Sequence, residues 1–149
     1  MVIKMNKIHV VYWSGTGNTQ TMAESIVLGI NEAGGNGEAI EVSSITTDAL
    51  DNSNVFALGC PSMGAEELDY DDMEPFVSDL ENKVTGKHIL LFGSYDWGDG
   101  EWMRNWVDRM KNAGATIVGD EGIIINNSPD DEGIKACIEA GKTLASISI

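Results

Sequence analysis

The stretch "VVYWSGTGNTQTM", residues 10–22, decides how this chain is read. An apolar, β-branched run stops in small hydroxylated and glycine residues, and apolar residues then return at a different period. "IHVVYW" (8–13) is short, β-branched and aromatic, the signature of a buried strand. "GNTQTMAESIVLGINEAG" then sets Met22, Ile26 and Ile30 on one helical face, with Ala23 and Val27 alongside, and ends at Gly34 and Gly35. Strand, glycine loop and helix make one βα unit. The loop between them sits where helix N–H groups are free to bind an anion.

The pattern recurs along the chain. A short strand is expected near Glu38–Val42, and "NVFALGC" (54–60), "HILLFGS" (88–94) and "GIIIN" (122–126) are further apolar runs. Helical spacing places Met73, Phe76, Val77 and Leu80 on one face of Asp71–Leu80, and Trp102, Trp106, Val107 and Met110 on one face of Glu101–Ala113. A last helix is expected around Asp130–Ser146. Strands that are apolar throughout and alternate with helices imply an α/β fold, a parallel sheet covered on both faces. Five such units fit the doubly wound order 2-1-3-4-5, in which ligands bind beyond the carboxyl ends of the strands where the order reverses. The loops that meet there are 14–19, 61–70 and 94–100, and they are the three least ordinary in the chain.

Bulk composition bounds the function. A chain of 149 residues, 42% of them hydrophobic, suits one domain, here 1–149, with a real core. Twenty-four acidic against nine basic residues give a net charge of −15, which weighs against nucleic acid or an anionic membrane as partner and favours a basic protein or plain solubility. The apolar stretch in residues 1–13 is too short for a signal peptide and no spanning segment follows, so a soluble, cytoplasmic, monomeric protein is expected. Cys60 and Cys137 lie far apart without metal-type spacing and read as buried, inert thiols. His9 and His88 flank apolar strands and are not read as catalytic or metal-binding.

The glycine loop exceeds what a helix cap needs. Ser14, Thr16, Asn18 and Thr19 offer side-chain donors, and Gly15 and Gly17 let the backbone curl round a guest. No lysine occurs between Lys7 and Lys83, so the loop is not a triphosphate-binding P-loop, and Gln20 stands where a dinucleotide fingerprint needs a small residue. Hydroxyls and N–H dipoles without a cation suit a single tethered monophosphate.

Taken together, "YWSGTGNT" (12–19), "GCPSMGAEE" (59–67), "EPF" (74–76) and "LFGSYDWGDGEWM" (91–103) resemble the flavodoxins, particularly the short-chain clostridial type, in order and register across nearly the whole chain. The resemblance implies a flavodoxin-like five-stranded sheet and non-covalently bound FMN. It also implies a low-potential one-electron carrier without substrate turnover, docking transiently on redox-partner proteins through its acidic surface. It implies that residues 14–19 hold the phosphate. The ring would lie between the loop Ser62, Met63, Gly64, Ala65, Glu66 and the loop Ser94, Tyr95, Asp96, Trp97, Gly98. Met63 would pack on one face and Trp97 on the other, while Glu66 would accept from the flavin N3 position. Backbone N–H groups of 95–98 would meet the pyrimidine edge, and Ser94 and Tyr95 the ribityl chain and phosphate. Trp102 and Trp106, at helical spacing, and Trp13, at a strand end, read as core.

Two positions depart from the clostridial pattern. Alanine at 65 occupies the third place of the turn 63–66, which needs a positive φ if that turn is type II. Asp96 stands where glycine is common and brings a carboxylate near the ring. Two rival readings share the architecture. An FMN-dependent quinone reductase needs extra loops for substrate and nicotinamide. A phosphoacceptor receiver needs acidic residues where Trp13-Ser14 and Gly59-Cys60 stand.

Overall fold

The computed structural model describes residues 7–147, so the stretch 1–13, read as too short for a signal peptide, lies partly outside the described residues. The elements run β1 (Lys7–Tyr12), α1 (Asn18–Glu32), β2 (Asn36–Glu41), β3 (Val55–Gly59), α2 (Met73–Leu80), β4 (His88–Tyr95), α3 (Glu101–Asn112), β5 (Thr116–Ile117), β6 (Ile123–Asn126) and α4 (Asp131–Ile147). All strand pairs are parallel, in the order β2-β1-β3-β4, with β5 and β6 both pairing with β4. The doubly wound order read from the sequence therefore holds, with the fifth strand in two pieces.

The split has a local cause. Thr116 pairs with His88 but Ile123 with Phe92, so the register offset grows from 28 to 31 and three residues bulge out of the ladder. Gly119 (φ 80°) and Asp120 (φ 66°) take left-handed conformations there, which glycine and aspartate tolerate better than most residues. β5 is two residues long, too short to show a period. Helix α2 starts at Met73 rather than Asp71 because the buried Asp69 carboxylate accepts from the N–H groups of Asp72 (2.8 Å) and Met73 (3.0 Å).

The apolar strands alternate between two core layers. Val11, Phe56, Leu58, Ile89 and Leu91 face α2 and α3, packing with Met73, Val77, Leu80, Trp102, Trp106 and Met110. Ile8, Val10, Ala57, Leu90 and Phe92 face α1 and α4, packing with Met22, Ile26, Ile30, Cys137 and Leu144. Helices α1 and α4 touch backbone to backbone. A Cβ on Gly29 would lie 1.9 Å from Ile138 O, and one on Gly141 2.0 Å from Ile26 O.

Trp102 and Trp106 are core residues, each 2% exposed, but their indoles differ. Trp102 Nε1 donates to Cys60 O at 3.1 Å, whereas Trp106 Nε1 is buried with no acceptor among the described residues. Trp102→Phe leaves a buried carbonyl unpaired, while Trp106→Phe removes a donor that had no partner, and an unpaired buried polar group costs about 1–3 kcal/mol. Urea denaturation of the two variants is expected to show Trp102→Phe less stable by about 2 kcal/mol; equal midpoints contradict this assignment.

Candidate functional site

Three loops leave the carboxyl ends of β1, β3 and β4 on one side of the sheet and enclose about 350 Å³ of open space. Trp13, Gly15, Thr16 and Asn18 form one wall, Pro61, Ser62 and Met63 a second, and Ser94, Tyr95 and Asp96 a third, with Asn127 closing the side next to β6. A larger groove, about 460 Å³, runs between α3 and the bulge before β6, but charges of both signs line it (Arg104, Lys111, Asp108, Asp120, Glu121), and of the three strand-end loops only Gly100, at the start of α3, reaches it. The site at the strand ends is the functional candidate.

The first loop is folded round an oxygen. Ser14 Oγ accepts from the N–H groups of Gly17 (3.1 Å) and Gln20 (3.3 Å), so two backbone dipoles converge on one point at the start of α1. Gly17, the residue before the helix, has φ 98° and no side chain caps it. The N–H groups of Asn18 and Thr19 have no acceptor among the described residues. Ser128 Oγ donates to Asn18 Oδ1 at 3.4 Å, which leaves the amide nitrogen of Asn18 as a donor on the cavity wall. Thr19 is turned inward: it is 1% exposed, and its hydroxyl shares a 3.0 Å hydrogen bond with Ser94 Oγ and accepts from Ser94 N at 3.3 Å. That pair ties α1 to β4 beneath the loop.

The second loop is a tight hairpin. Met63 and Glu67 exchange both backbone hydrogen bonds, at 2.8 and 2.7 Å. Positive φ falls on Gly64 (51°) and Glu66 (55°), on either side of Ala65, so in this conformation the alanine carries no left-handed strain. The strained residue is Glu66, and its side chain holds it there. Glu66 Oε1 accepts from Gly100 N (3.2 Å) and Glu101 N (2.9 Å) at the N-terminus of α3, where a negative charge is favoured. Gly98 lies against this carboxylate, and a Cβ there would be 2.5 Å from Glu66 Cδ. The second carboxylate oxygen takes no hydrogen bond among the described residues.

The third loop is joined to its neighbours. Ser62 N donates to Ser94 O at 3.0 Å, and Asn127 N to Tyr95 O at 2.7 Å. Tyr95 packs on Trp102 with ring centroids 5.6 Å apart. Trp97 stands 64% exposed beside the cavity, not on its wall. Cys60 and Cys137 are buried, and burial pushes both thiols up to about 12, as befits inert core residues. Burial lowers the His9 imidazole from its ordinary value.

Of the residues predicted from sequence, Gly15, Thr16, Asn18, Ser62, Met63, Ser94, Tyr95 and Asp96 line the cavity. Ser14 and Gly17 shape the loop behind it, Thr19 braces it, and Gly64, Ala65, Glu66, Trp97 and Gly98 form the rim and its attachment to α3. Sequence reasoning missed Trp13, Pro61 and Asn127 as wall residues. Trp13, expected in the core, is half-buried; it packs on the core and also lines the cavity. The signal for Asn127 was available: "NNSP" (126–129) follows the strand that neighbours β4 at the same sheet edge.

The family model described as Flavodoxin matches residues 10–141. The flavodoxin of Clostridium beijerinckii is 46% identical over 138 residues, covering 93% of this chain and 99% of that protein. The flavodoxin of Megasphaera elsdenii is 43% identical over 138 residues, covering 93% and 98%. The solution structure of two-electron reduced Megasphaera elsdenii flavodoxin superposes with a TM-score of 0.85 at 42% identity, covering 93% of this chain and 98% of that one. The crystal structure of oxidised Flavodoxin 2 from Bacillus cereus superposes at 0.81 with 28% identity, covering 95% and 99%.

If Glu66 is the cap of α3, Glu66→Ala speeds amide exchange at Gly100 and Glu101 by about tenfold in protein without added cofactor, the equivalent of losing one cap. Unchanged exchange at both amides removes that role.

Proposed function

Because the chain belongs to the flavodoxin family and is an FMN-binding one-electron carrier, we propose that its three strand-end loops hold the cofactor phosphate against residues 14–19 and the ring between residues 62–66 and 94–98. It is an electron-transfer protein without substrate turnover of its own, and these relatives lend no support to a quinone reductase on the same fold.

The observation that carries the reading is the donor set. Backbone N–H groups already converge on a single oxygen, Ser14 Oγ, and Thr16 and Asn18 add side-chain donors, with no Lys, Arg or His on the cavity walls. Such a cradle fits one phosphate placed at a helix N-terminus. The rest of the cavity offers what a flat aromatic ring needs: the thioether of Met63 and the rings of Trp13 and Tyr95 on its walls, and an exposed indole, Trp97, at the rim.

Each residue then has a task. Gly15 and Gly17 curve the backbone round the phosphate, which receives the N–H groups of Asn18 and Thr19 while the Thr19 hydroxyl stays on Ser94. Met63 and Trp97 cover the two faces of the ring and exclude water, with Ser62, Gly64 and Ala65 shaping the turn. Glu66 uses one oxygen on α3 and offers the other to the ring N–H. Backbone N–H groups of Tyr95, Asp96, Trp97 and Gly98 meet the pyrimidine edge, and Ser94 the ribityl chain. FMN itself supplies the one-electron chemistry, and no side chain forms a bond to it.

As a carrier the protein passes electrons between redox partners. We propose that it does so as a single-domain, cytoplasmic monomer docking briefly on basic surfaces, because a net charge of −15 attracts them at long range and disfavours self-association, nucleic acid and anionic lipid. No described helix is long and apolar enough to cross a membrane. Sedimentation at the mass of more than one chain contradicts the monomer.

Asn18→Ala is expected to weaken FMN binding by about tenfold or more, since hydrogen bonds to charged groups contribute about 1.5–3 kcal/mol, and to leave riboflavin affinity nearly unchanged. Equal losses for both ligands, measured by fluorescence titration, place the phosphate elsewhere. The rate of electron transfer to a basic haem protein should fall steeply between low and high salt, whereas transfer to an uncharged small acceptor should not. A flat salt profile with the haem protein contradicts acidic docking.

A further inference from the structure

Apart from one residue, the cavity walls are free of charge. Asp96 is the only carboxylate on them, and Lys, Arg and His are absent there. Asp96 is exposed and its carboxylate has neither an ion pair nor a hydrogen bond among the described residues. The cation nearest in sequence is already engaged: Arg104 donates to Asp99 O and Asp99 Oδ1, both at 3.0 Å. Across the cavity stand uncharged groups, Trp13, Met63 and Asn127, so nothing on the walls offsets the carboxylate.

We infer that Asp96 makes the site discriminate by the charge on the ring it holds, binding two-electron-reduced FMN less tightly than an uncharged residue at 96 would allow. The inference rests on the FMN reading above. The oxidised ring is neutral. Two electrons and one proton added to it leave one negative charge, and that charge meets the unpaired carboxylate. The phosphate is the same in both forms, so its repulsion cancels from the ratio of the two affinities. By linkage, whatever the carboxylate takes from the reduced form it also takes from the tendency of the bound cofactor to be reduced. Asp96 is thus a specificity-determining residue for the redox state of the ligand, acting through charge and not through a fitted contact.

The test compares dissociation constants of oxidised and dithionite-reduced FMN, under anaerobic conditions, for the unsubstituted protein, Asp96→Asn and Asp96→Glu. Asp96→Asn should tighten reduced FMN by about three- to tenfold at low ionic strength, change oxidised FMN by less than about twofold, and lose most of its effect at high salt. Asp96→Glu, which keeps the charge, should retain the weaker binding of reduced FMN. Equal changes for the two forms, or a salt-independent change, mean that residue 96 acts through shape and overturn the inference alone. If the unsubstituted protein binds neither form, the cofactor reading itself fails, and this inference falls with it.

Discussion

Tyr12 of β1, Gly59 of β3 and Phe92 of β4 stand side by side in the parallel ladder, and that alignment determines where the three functional loops begin. The pairing continues past the strand ends: Trp13 N donates to Gly59 O, Cys60 N to Phe92 O and Ser62 N to Ser94 O. Close approach at the last rungs needs glycine. A Cβ on Gly59 would meet the Phe92 ring at 2.2 Å, and one on Gly93 would meet Cys60 O at 2.1 Å. A shift of one residue in any of these registers would turn core side chains to the wrong face and carry a loop away from the cavity.

On that frame the site is built from neutral donors and fixed dipoles in a strongly acidic chain. The N-terminus of α1 faces the cavity with unspent N–H groups, and the N-terminus of α3 is used to anchor Glu66. One helix end is left open to the cavity and the other anchors the hairpin beside it. The left-handed strain at Glu66 is offset by those two hydrogen bonds, which join the 63–67 hairpin to the start of α3. The buried Thr19–Ser94 hydroxyl pair likewise joins the 14–19 loop and the start of α1 to β4. Cavity shape is therefore held by side-chain links added to the backbone pairing at the strand ends.

Much of this was legible in the residues. The apolar runs at 8–13, 54–60 and 88–94 became β1, β3 and β4, and the periodic faces of α2 and α3 supplied the core residues expected of them. The loop "SGTGNT" could be read as an anion cradle because it holds more donors than a cap needs. The two-residue β5 and the bulge at Gly119-Asp120 were not legible, since no period fits in two residues. Which member of a motif faces inward was equally hidden: Thr16 and Thr19 look alike in sequence, yet one lines the cavity and the other is 1% exposed on Ser94.

By itself, then, the sequence determined the order of elements, the two-sided sheet, the three loops at the carboxyl ends of the strands and the anion-type donor set in the first of them. These follow from local periodicity and from donor types set close together along the chain. Only the tertiary structure decided that Trp13 and Asn127 are cavity walls, that Glu66 caps α3, that the positive φ avoids Ala65, and that Asp96 is the one charged residue on the cavity walls. The reason is distance: Glu66 and Glu101, or Thr19 and Ser94, are 35 and 75 residues apart, and it is the strand pairing that brings them together.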